Sequence, residues 1–323
     1  MEPQLSYDDI ITIISSFLGD TLFLNSSSYN EVTKEEHSKH WYDKYVDVMT
    51  KNNVHDLIYT KSYDPSYNWK KFYILATRFN RWDLFVGALD KTTLDLSEKA
   101  LKVIPHEIRK LVNLEKLDLS DNNLTIIPKE IGLLENLTEL NLSNNNLTII
   151  PKEIGLLANL KELNLSENQI TIIPKEIELL ANLQYLFLRH NKIIVIPPEI
   201  GELVNLERLH LSNNQITVIP KEIGLLVKLE RLDLSNNQIR AIPQEIGLLV
   251  NLERLDLSAN QIRAIPPEIG LLVNLERLDL TANQITAIPQ EIGLLVNLER
   301  LDLSYNKVTK VHADLSHLLI TIN

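Results

Sequence analysis

The strongest constraint on this chain is a 23-residue period that begins near Lys91 and continues without insertion or deletion. Each unit reads L-x-x-L-x-L-x-x-N-x-I-x-x-I-P-x-E-I-G-x-L-x-N. A recurring asparagine marks the units, at Asn122, Asn145, Asn168, Asn191, Asn214, Asn237, Asn260, Asn283 and Asn306. Self-similarity at this period predicts a solenoid of stacked units, which binds partners on an extended surface rather than in one central pocket.

Within the unit 114–136, the spacing of apolar residues predicts a short strand followed by a short helix. Leu117 and Leu119 alternate with polar residues, so both are expected to point inward from a strand. Pro128 can begin the helix, because the first helical N–H needs no partner. Parallel strands about 4.8 Å apart would form a concave sheet with the helices on the convex side. The outward side chains are then expected to be Lys116, Asp118 and Ser120.

Aromatic residues divide the chain into two regions. Sixteen of the 19 Phe, Trp and Tyr residues precede residue 91, and the repeats contain only Tyr185, Phe187 and Tyr305. We therefore predict a helical N-terminal cap at 1–90, a solenoid of one degenerate and nine clear units at 91–311, and a short C-terminal cap at 312–323. Such caps cover the apolar core that the ends of a solenoid would otherwise expose.

Composition narrows the classes of partner and compartment. The net charge of -11 disfavours nucleic acid, because an acidic surface repels phosphates. The chain has no cysteine, which favours a reducing compartment, here the cytoplasm. The acidic N-terminus does not resemble a signal peptide, and no apolar run is long enough to span a membrane. We expect a monomer or a weak dimer.

The motif Leu-x-x-Leu-x-Leu-x-x-Asn followed by Ile-Pro-x-Glu-Ile-Gly resembles the leucine-rich repeat family over residues 91–311. The 23-residue variant is similar to microbial members. Together with the aromatic helical N-terminus, it also resembles leucine-rich repeat proteins of giant DNA viruses of amoebae (Marseillevirus-like), which would place the chain in the host cytoplasm. The resemblance implies an α/β horseshoe scaffold that binds a protein partner on its concave face without catalysis.

Three outward columns, each with one residue per strand, carry the variation between units. The first reads Lys116, Glu139, Glu162, Tyr185, Arg208, Arg231, Arg254, Arg277 and Arg300. The second reads Asp118, Asn141, Asn164, Phe187, His210, Asp233, Asp256, Asp279 and Asp302. The third reads Ser120, Ser143, Ser166, Arg189, Ser212, Ser235, Ser258, Thr281 and Ser304.

The C-terminal units thus carry an arginine row (Arg208, Arg231, Arg254, Arg277, Arg300) beside an aspartate row (Asp233, Asp256, Asp279, Asp302). One interpretation is a solvated lattice in which the two rows neutralise each other. A second interpretation is a periodic docking face for an extended partner. A third is calcium binding along the aspartates, which would need converging oxygen ligands.

One unit departs from the pattern in every column. We define the aromatic island by its residues and their neighbours on the next strand: Tyr185, Phe187, Arg189, His190, Arg208 and His210. Tyr and Arg are enriched at binding hot spots, so the island is the candidate partner-binding site. The alternative is a drifted unit without a function. A zinc site at His190 and His210 would lack an obvious third ligand.

Chemical motifs are otherwise absent from the sequence. Seven of the nine glycines occupy one repeat column, from Gly132 to Gly293, and no Ser/His/Asp set is recognisable. We therefore predict no catalytic residues, no cofactor and no metal. Two alternatives remain: an enzyme with an unrecognised site, and an F-box-like adaptor for ubiquitin ligation. Ile10–Leu18 and Trp69–Tyr73 are loosely similar to an F-box, although its usual Leu-Pro opening is absent.

Overall fold

The computed structural model describes residues 91–311 and 319–321. The predicted helical cap and F-box-like segment at 1–90 lie outside the described residues, as does most of the predicted C-terminal cap at 312–323. Residues 91–105 form one compact unit with the part of the chain that follows residue 110.

Parallel strands form the main sheet: ten come from the repeat units, and the eleventh lies within the region 312–323 that was predicted as the C-terminal cap. The strands in chain order are β1 (Thr93–Asp95), β2 (Lys116–Asp118), β3 (Glu139–Asn141), β4 (Glu162–Asn164), β5 (Tyr185–Phe187), β6 (Arg208–His210), β7 (Arg231–Asp233), β8 (Arg254–Asp256), β9 (Arg277–Asp279), β10 (Ala287–Ile288), β11 (Arg300–Asp302), β12 (Lys310–Val311) and β13 (Leu319–Thr321). Eleven strands pair in the order β1 to β9, β11 and β13, and β10 pairs with β12 in a separate two-stranded sheet. The main sheet is open, with β1 and β13 at its two ends.

The register of the sheet reproduces the sequence period. Leu117 pairs with Leu140, and Leu186 pairs with Leu209, each 23 residues further along the chain. Every repeat column is consequently a straight row across the strands. The degenerate first unit also joins the sheet, because β1 pairs with β2 in the same register.

Short 3-10 helices follow the strands. They are η1 (His106–Lys110), η2 (Lys129–Leu133), η3 (Lys152–Leu156), η4 (Lys175–Leu179), η5 (Pro198–Glu202), η6 (Lys221–Leu225), η7 (Gln244–Leu248), η8 (Pro267–Leu271) and η9 (Gln290–Leu294). The prediction that Pro128 begins the helix is wrong by one residue. Pro128 precedes η2 in an extended conformation, and its carbonyl accepts the Ile131 N–H at 3.0 Å, which closes the turn.

Leucine and isoleucine fill the interior between the sheet and the helices. In the unit 114–136 all inward apolar side chains are at most 3% exposed, namely Leu114, Leu117, Leu119, Leu124, Ile127, Ile131 and Leu134. The same positions are buried in the following units through Leu295, so the core is one continuous column that no unit could form alone. The predicted α/β leucine-rich repeat solenoid, with strands on one face and short helices on the other, is confirmed.

The recurring asparagines form a ladder of hydrogen bonds with the backbone. Asn214 donates from Nδ2 to the carbonyls of Leu188, Leu211 and Ser212 at 2.9, 3.0 and 3.2 Å. Its Oδ1 accepts the N–H of Ile193 at 2.9 Å. Each ladder asparagine therefore joins its own turn to the turn of the preceding unit.

A second set of asparagines, at the end of the repeat motif, links the units at another edge. Asn205 donates to the Ala181 carbonyl at 2.8 Å, and Asn251 donates to the Val227 carbonyl at 2.7 Å. The same bond recurs from Asn136, Asn159, Asn182, Asn274 and Asn297. These edge asparagines are exposed except for the half-buried Asn205, and the repeat pattern alone did not indicate their partners.

Close packing between successive helices explains the glycine column. A Cβ at Gly224 would lie 2.7 Å from the Glu245 carbonyl oxygen and 3.1 Å from Cδ1 of Leu248. The following unit thus presses on each glycine with its backbone and a leucine. Glu178 stands at the glycine position of one unit, and there the following unit has Glu202 in place of that leucine.

Candidate functional site

The aromatic island is built on two adjacent strands. Tyr185 pairs in register with Arg208, and Phe187 pairs with His210. Between them, Leu186 and Leu209 are fully buried in the core. Side chains alternate between the two faces of a strand. Tyr185, Phe187, Arg208 and His210 therefore lie on the outer face of the sheet, here called the strand face.

Ring contacts join these four residues into one surface. The rings of Tyr185 and Phe187 are parallel within 3°, with centroids 6.5 Å apart. The His210 ring meets Phe187 edge-on, at 5.1 Å and 69°. The Arg208 guanidinium carbon lies 5.3 Å from the Tyr185 ring centroid, within the range of a cation–π contact.

A hydrogen bond to a glutamate holds the phenol of Tyr185. Its hydroxyl donates to Oε2 of Glu207 at 3.0 Å, and Gln184 donates to the other carboxylate oxygen at 3.3 Å. The hydrogen bond to Glu207 raises the pKa of Tyr185, and burial raises it further. The ring is thus held at its polar tip, and its half-buried body remains on the surface.

Arg189 and His190 follow β5 and lie at the edge of the strand face. The exposed Arg189 places Nη2 3.4 Å from Oε1 of Glu167. His190 has a φ of 53° and is exposed, because its position lies in the left-handed turn of each unit. The island therefore consists of a contiguous group, Tyr185, Phe187, Arg208 and His210, with Arg189 and His190 beside it.

His210 has a perturbed imidazole. Burial lowers the pKa of His210; Asp233 opposes this shift, and the charges of Arg189, Arg208 and Arg231 add to it. The neutral imidazole is therefore favoured beside Phe187. Among residues 91–311 and 319–321, no group of three or more His, Asp or Glu side chains is placed to hold a metal ion.

The third outward column is less exposed than predicted. Ser120 and Ser304 are 6% exposed, because their hydroxyls turn toward the sheet and donate to Asp118 and Asp302 at 2.6 and 2.7 Å. The other serines and the threonine of this column are buried or half-buried. Arg189 is the one exposed member of the column, which sets the island unit apart from its neighbours.

The arginine and aspartate rows lie side by side with little direct contact. Asp233 accepts both the N–H and the hydroxyl of Ser235, at 3.0 and 2.7 Å, rather than an arginine. Within the described residues, the one ion pair between the rows joins Arg300 to Asp302 at 3.1 Å. The pKa of Asp256 is raised by burial and by the neighbouring aspartates, against the hydrogen bonds from Ser258. Neutralisation of the rows therefore does not depend on paired side chains.

Two shallow grooves follow the rows. One, of about 340 Å³, starts at His210 and continues along the arginine and aspartate rows to Arg300. The other, of about 680 Å³, is lined by Lys228, by three edge asparagines and by five glutamates: Glu207, Glu230, Glu253, Glu276 and Glu299. The acidic groove was not predicted, although a glutamate before each arginine of the row is visible in the sequence.

Comparison with known proteins assigns the class. Leucine rich repeat models match residues 91–147, 135–193, 204–267 and 273–320, and a two-copy model matches 181–223 and 250–292. The chain therefore belongs to the leucine-rich repeat family. No curated protein matches the chain by sequence similarity. No helix in the described part of the chain is long and apolar enough to cross a membrane.

Solved structures give more specific likenesses. A leucine-rich repeat protein of Leptospira interrogans is 47% identical, with a TM-score of 0.65, over 67% of this chain and 55% of that protein. The Arabidopsis receptor kinase HAESA, solved with the peptide hormone IDA and the co-receptor SERK1, is 36% identical, with a TM-score of 0.61, over 67% and 38% of the two chains. The ectodomain of the Arabidopsis thaliana receptor kinase GASSHO1/SCHENGEN3, in complex with CASPARIAN STRIP INTEGRITY FACTOR 2, is 33% identical over 67% and 31%, with a TM-score of 0.57. This chain thus spans between about a third and about half the length of these proteins.

Proposed function

We propose that this protein is a non-catalytic scaffold that binds a protein partner on the strand face, with the aromatic island as the anchor. The single observation that carries the proposal is the ring cluster of Tyr185, Phe187 and His210 on an otherwise polar surface. Half-buried aromatic side chains beside arginine are the composition of binding hot spots. HAESA and GASSHO1/SCHENGEN3, both of the same fold, were solved with the ligands named above, which supports binding as the function.

The structure of the island supports an anchor role over neutral drift. Contacts already fix the rings: Arg208 lies over Tyr185, the Tyr185 hydroxyl binds Glu207, and His210 meets Phe187. A partner that covers rings held in this way loses little side-chain entropy on binding. The surrounding serines and asparagines offer no comparable apolar area.

Affinity capture tests the proposal. The full chain, immobilised and exposed to an extract of its native host, should retain a partner that mass spectrometry identifies. The Tyr185→Ala/Phe187→Ala chain should lose that partner. A Glu139→Ala/Asn141→Ala chain, changed in the same columns on β3, should keep it. Retention by the island variant at wild-type level would refute the anchor role, provided that circular dichroism shows both variants folded.

Other features of the proposal rest on composition. The acidic net charge supports a protein rather than a nucleic acid as partner, and the lack of cysteine supports a cytoplasmic location. Kinship with giant-virus proteins and a monomeric or weakly dimeric state remain predictions. So does the F-box-like alternative, because residues 1–90 lie outside the described part of the chain.

A further inference from the structure

The strand face changes its charge at the aromatic island. The first column holds Glu139 and Glu162 on β3 and β4, and it holds only arginines from β6 onward. In the second column, Phe187 and His210 stand where other strands carry asparagine or aspartate. The island is thus the one place on the face where arginines adjoin an apolar surface without an aspartate between them.

Two arginines of the first column adjoin this surface: Arg208 pairs in register with Tyr185, and Arg231 pairs with Arg208. Arg189, Arg208 and Arg231 each act on the His210 imidazole, and Asp233 is the one acidic group that acts on it from the next strand. Arg208 lies over the Tyr185 ring, whereas Arg189 extends toward Glu167 of the preceding unit.

These arginines have few acidic partners within the protein, so they are free to bind an anion. Arg208 and Arg231 form no ion pair within the described residues, and their Nε atoms, like that of Arg254, are buried without an acceptor. Arg189 pairs with Glu167 at 3.4 Å, but both side chains are about half exposed, so water screens the pair and a ligand can displace it. Glu207 is already engaged by Tyr185 and Gln184.

We propose that the island binds a short acidic segment of the protein partner, a step that rests on the function proposed above. An aromatic or aliphatic side chain of the segment covers Tyr185 and Phe187. An aspartate or glutamate of the segment binds between Arg208 and Arg231, where guanidinium groups can donate two hydrogen bonds to one carboxylate.

Geometry sets the spacing within the segment. The carboxylate site lies between β6 and β7, about one and a half strand spacings, or roughly 7 Å, from β5. An extended chain advances about 3.3 Å per residue, so the acidic residue should lie about two positions from the apolar one. A phosphate backbone fits less well, because a long anion would meet the acidic groove that continues from Glu207 to Glu299.

Selection from a library of displayed random peptides tests the inference. Peptides are selected on the full chain and depleted on the Tyr185→Ala/Phe187→Ala chain, so that the survivors depend on the island. The survivors should be enriched in Asp or Glu about two positions from an aromatic or aliphatic residue. Synthetic versions with Asn or Gln in place of the acids should bind about tenfold more weakly, and added salt should weaken the acidic versions.

Matched variants locate the charge. Arg231→Gln should weaken the acidic peptides about tenfold, whereas Arg277→Gln, two strands away in the same column, should leave them unchanged. Survivors that are basic or uncharged, or amide versions that bind equally well, would overturn the acidic segment and leave the proposed function standing. Tighter binding of a single-stranded RNA oligonucleotide would also overturn it. If no island-dependent peptide survives, the short acidic segment is overturned, and the affinity capture described above decides the proposed function separately.

Discussion

Asn214 is the residue at which the energetic role of the ladder can be tested most directly. In Asn214→Ala, the Ile193 N–H loses its acceptor inside the protein. The three carbonyls that Asn214 serves each keep another donor: Asn191 binds Leu188, Asn237 binds Leu211, and the His190 N–H binds Ser212. The variant therefore leaves one orphaned donor rather than four unpaired groups.

The expected cost follows from this count. One buried unpaired N–H costs about 1–3 kcal/mol, and three weakened carbonyl contacts add roughly 1 kcal/mol in total, so we expect a loss of about 2–4 kcal/mol. Asn306→Ala is the matched control, because Asn306 makes the same set of bonds but is only part-buried at the last ladder position. Water can replace its contacts, so about 1 kcal/mol is expected there.

Urea denaturation followed by circular dichroism measures both losses, and hydrogen exchange reports on the site itself. In Asn214→Ala, the Ile193 amide should exchange faster than in the wild type. The Ile285 amide of the same variant should exchange at the wild-type rate. Equal losses in the two asparagine variants would refute the reasoning. So would an Asn214→Ala loss below about 0.5 kcal/mol, since a buried orphan N–H cannot be that inexpensive.

Three further predictions concern other positions. Burial lowers the pKa of His210 below its ordinary value of 6.5. The contribution of His210 to stability should therefore be fully present above pH 6.5 and should be lost as the pH falls through the pKa of the folded state. In His210→Asn, this part of the pH profile of the urea midpoint should be flatter. Gly224→Ala should cost about 1–3 kcal/mol, because its Cβ would lie 2.7 Å from the Glu245 carbonyl oxygen, and an unchanged midpoint would contradict that contact. Ala259 has a φ of 50°, so Ala259→Gly should raise the free energy of unfolding by up to about 1 kcal/mol, as thermal and urea melts would show.

Much of the architecture was predictable because the inward positions repeat without exception. Leu117 and Leu119 alternate as a strand requires, and the constant period forces every strand into the same register. The grouping of Tyr185, Phe187, Arg208 and His210 followed from that register alone. Their role in binding is a separate matter, and it remains a prediction.

Other features depend on choices that the period does not encode. The Ser120 side chain turns inward because its hydroxyl donates a hydrogen bond to Asp118. This bond depends on one side-chain torsion, which the alternation of residues along a strand does not specify. The helices take the 3-10 form because each has only five residues. The partner of each edge asparagine is the carbonyl of the preceding unit that lies nearest to it. The stacking of whole units sets the distance between that carbonyl and the asparagine.

The hydrogen bonds that each asparagine makes to the preceding unit affect how the number of units in the gene can change. Each unit offers the next one the same backbone carbonyls and N–H groups that its predecessor offers to it, so an in-frame copy of residues 231–253 would restore every such bond. Recombination between the nearly identical units at 229–289 can therefore add or remove whole units without disturbing the core. Each such unit adds one arginine to the row or removes one. The extent of the charged surface can thus change by whole units, while the island unit has no nearly identical neighbour.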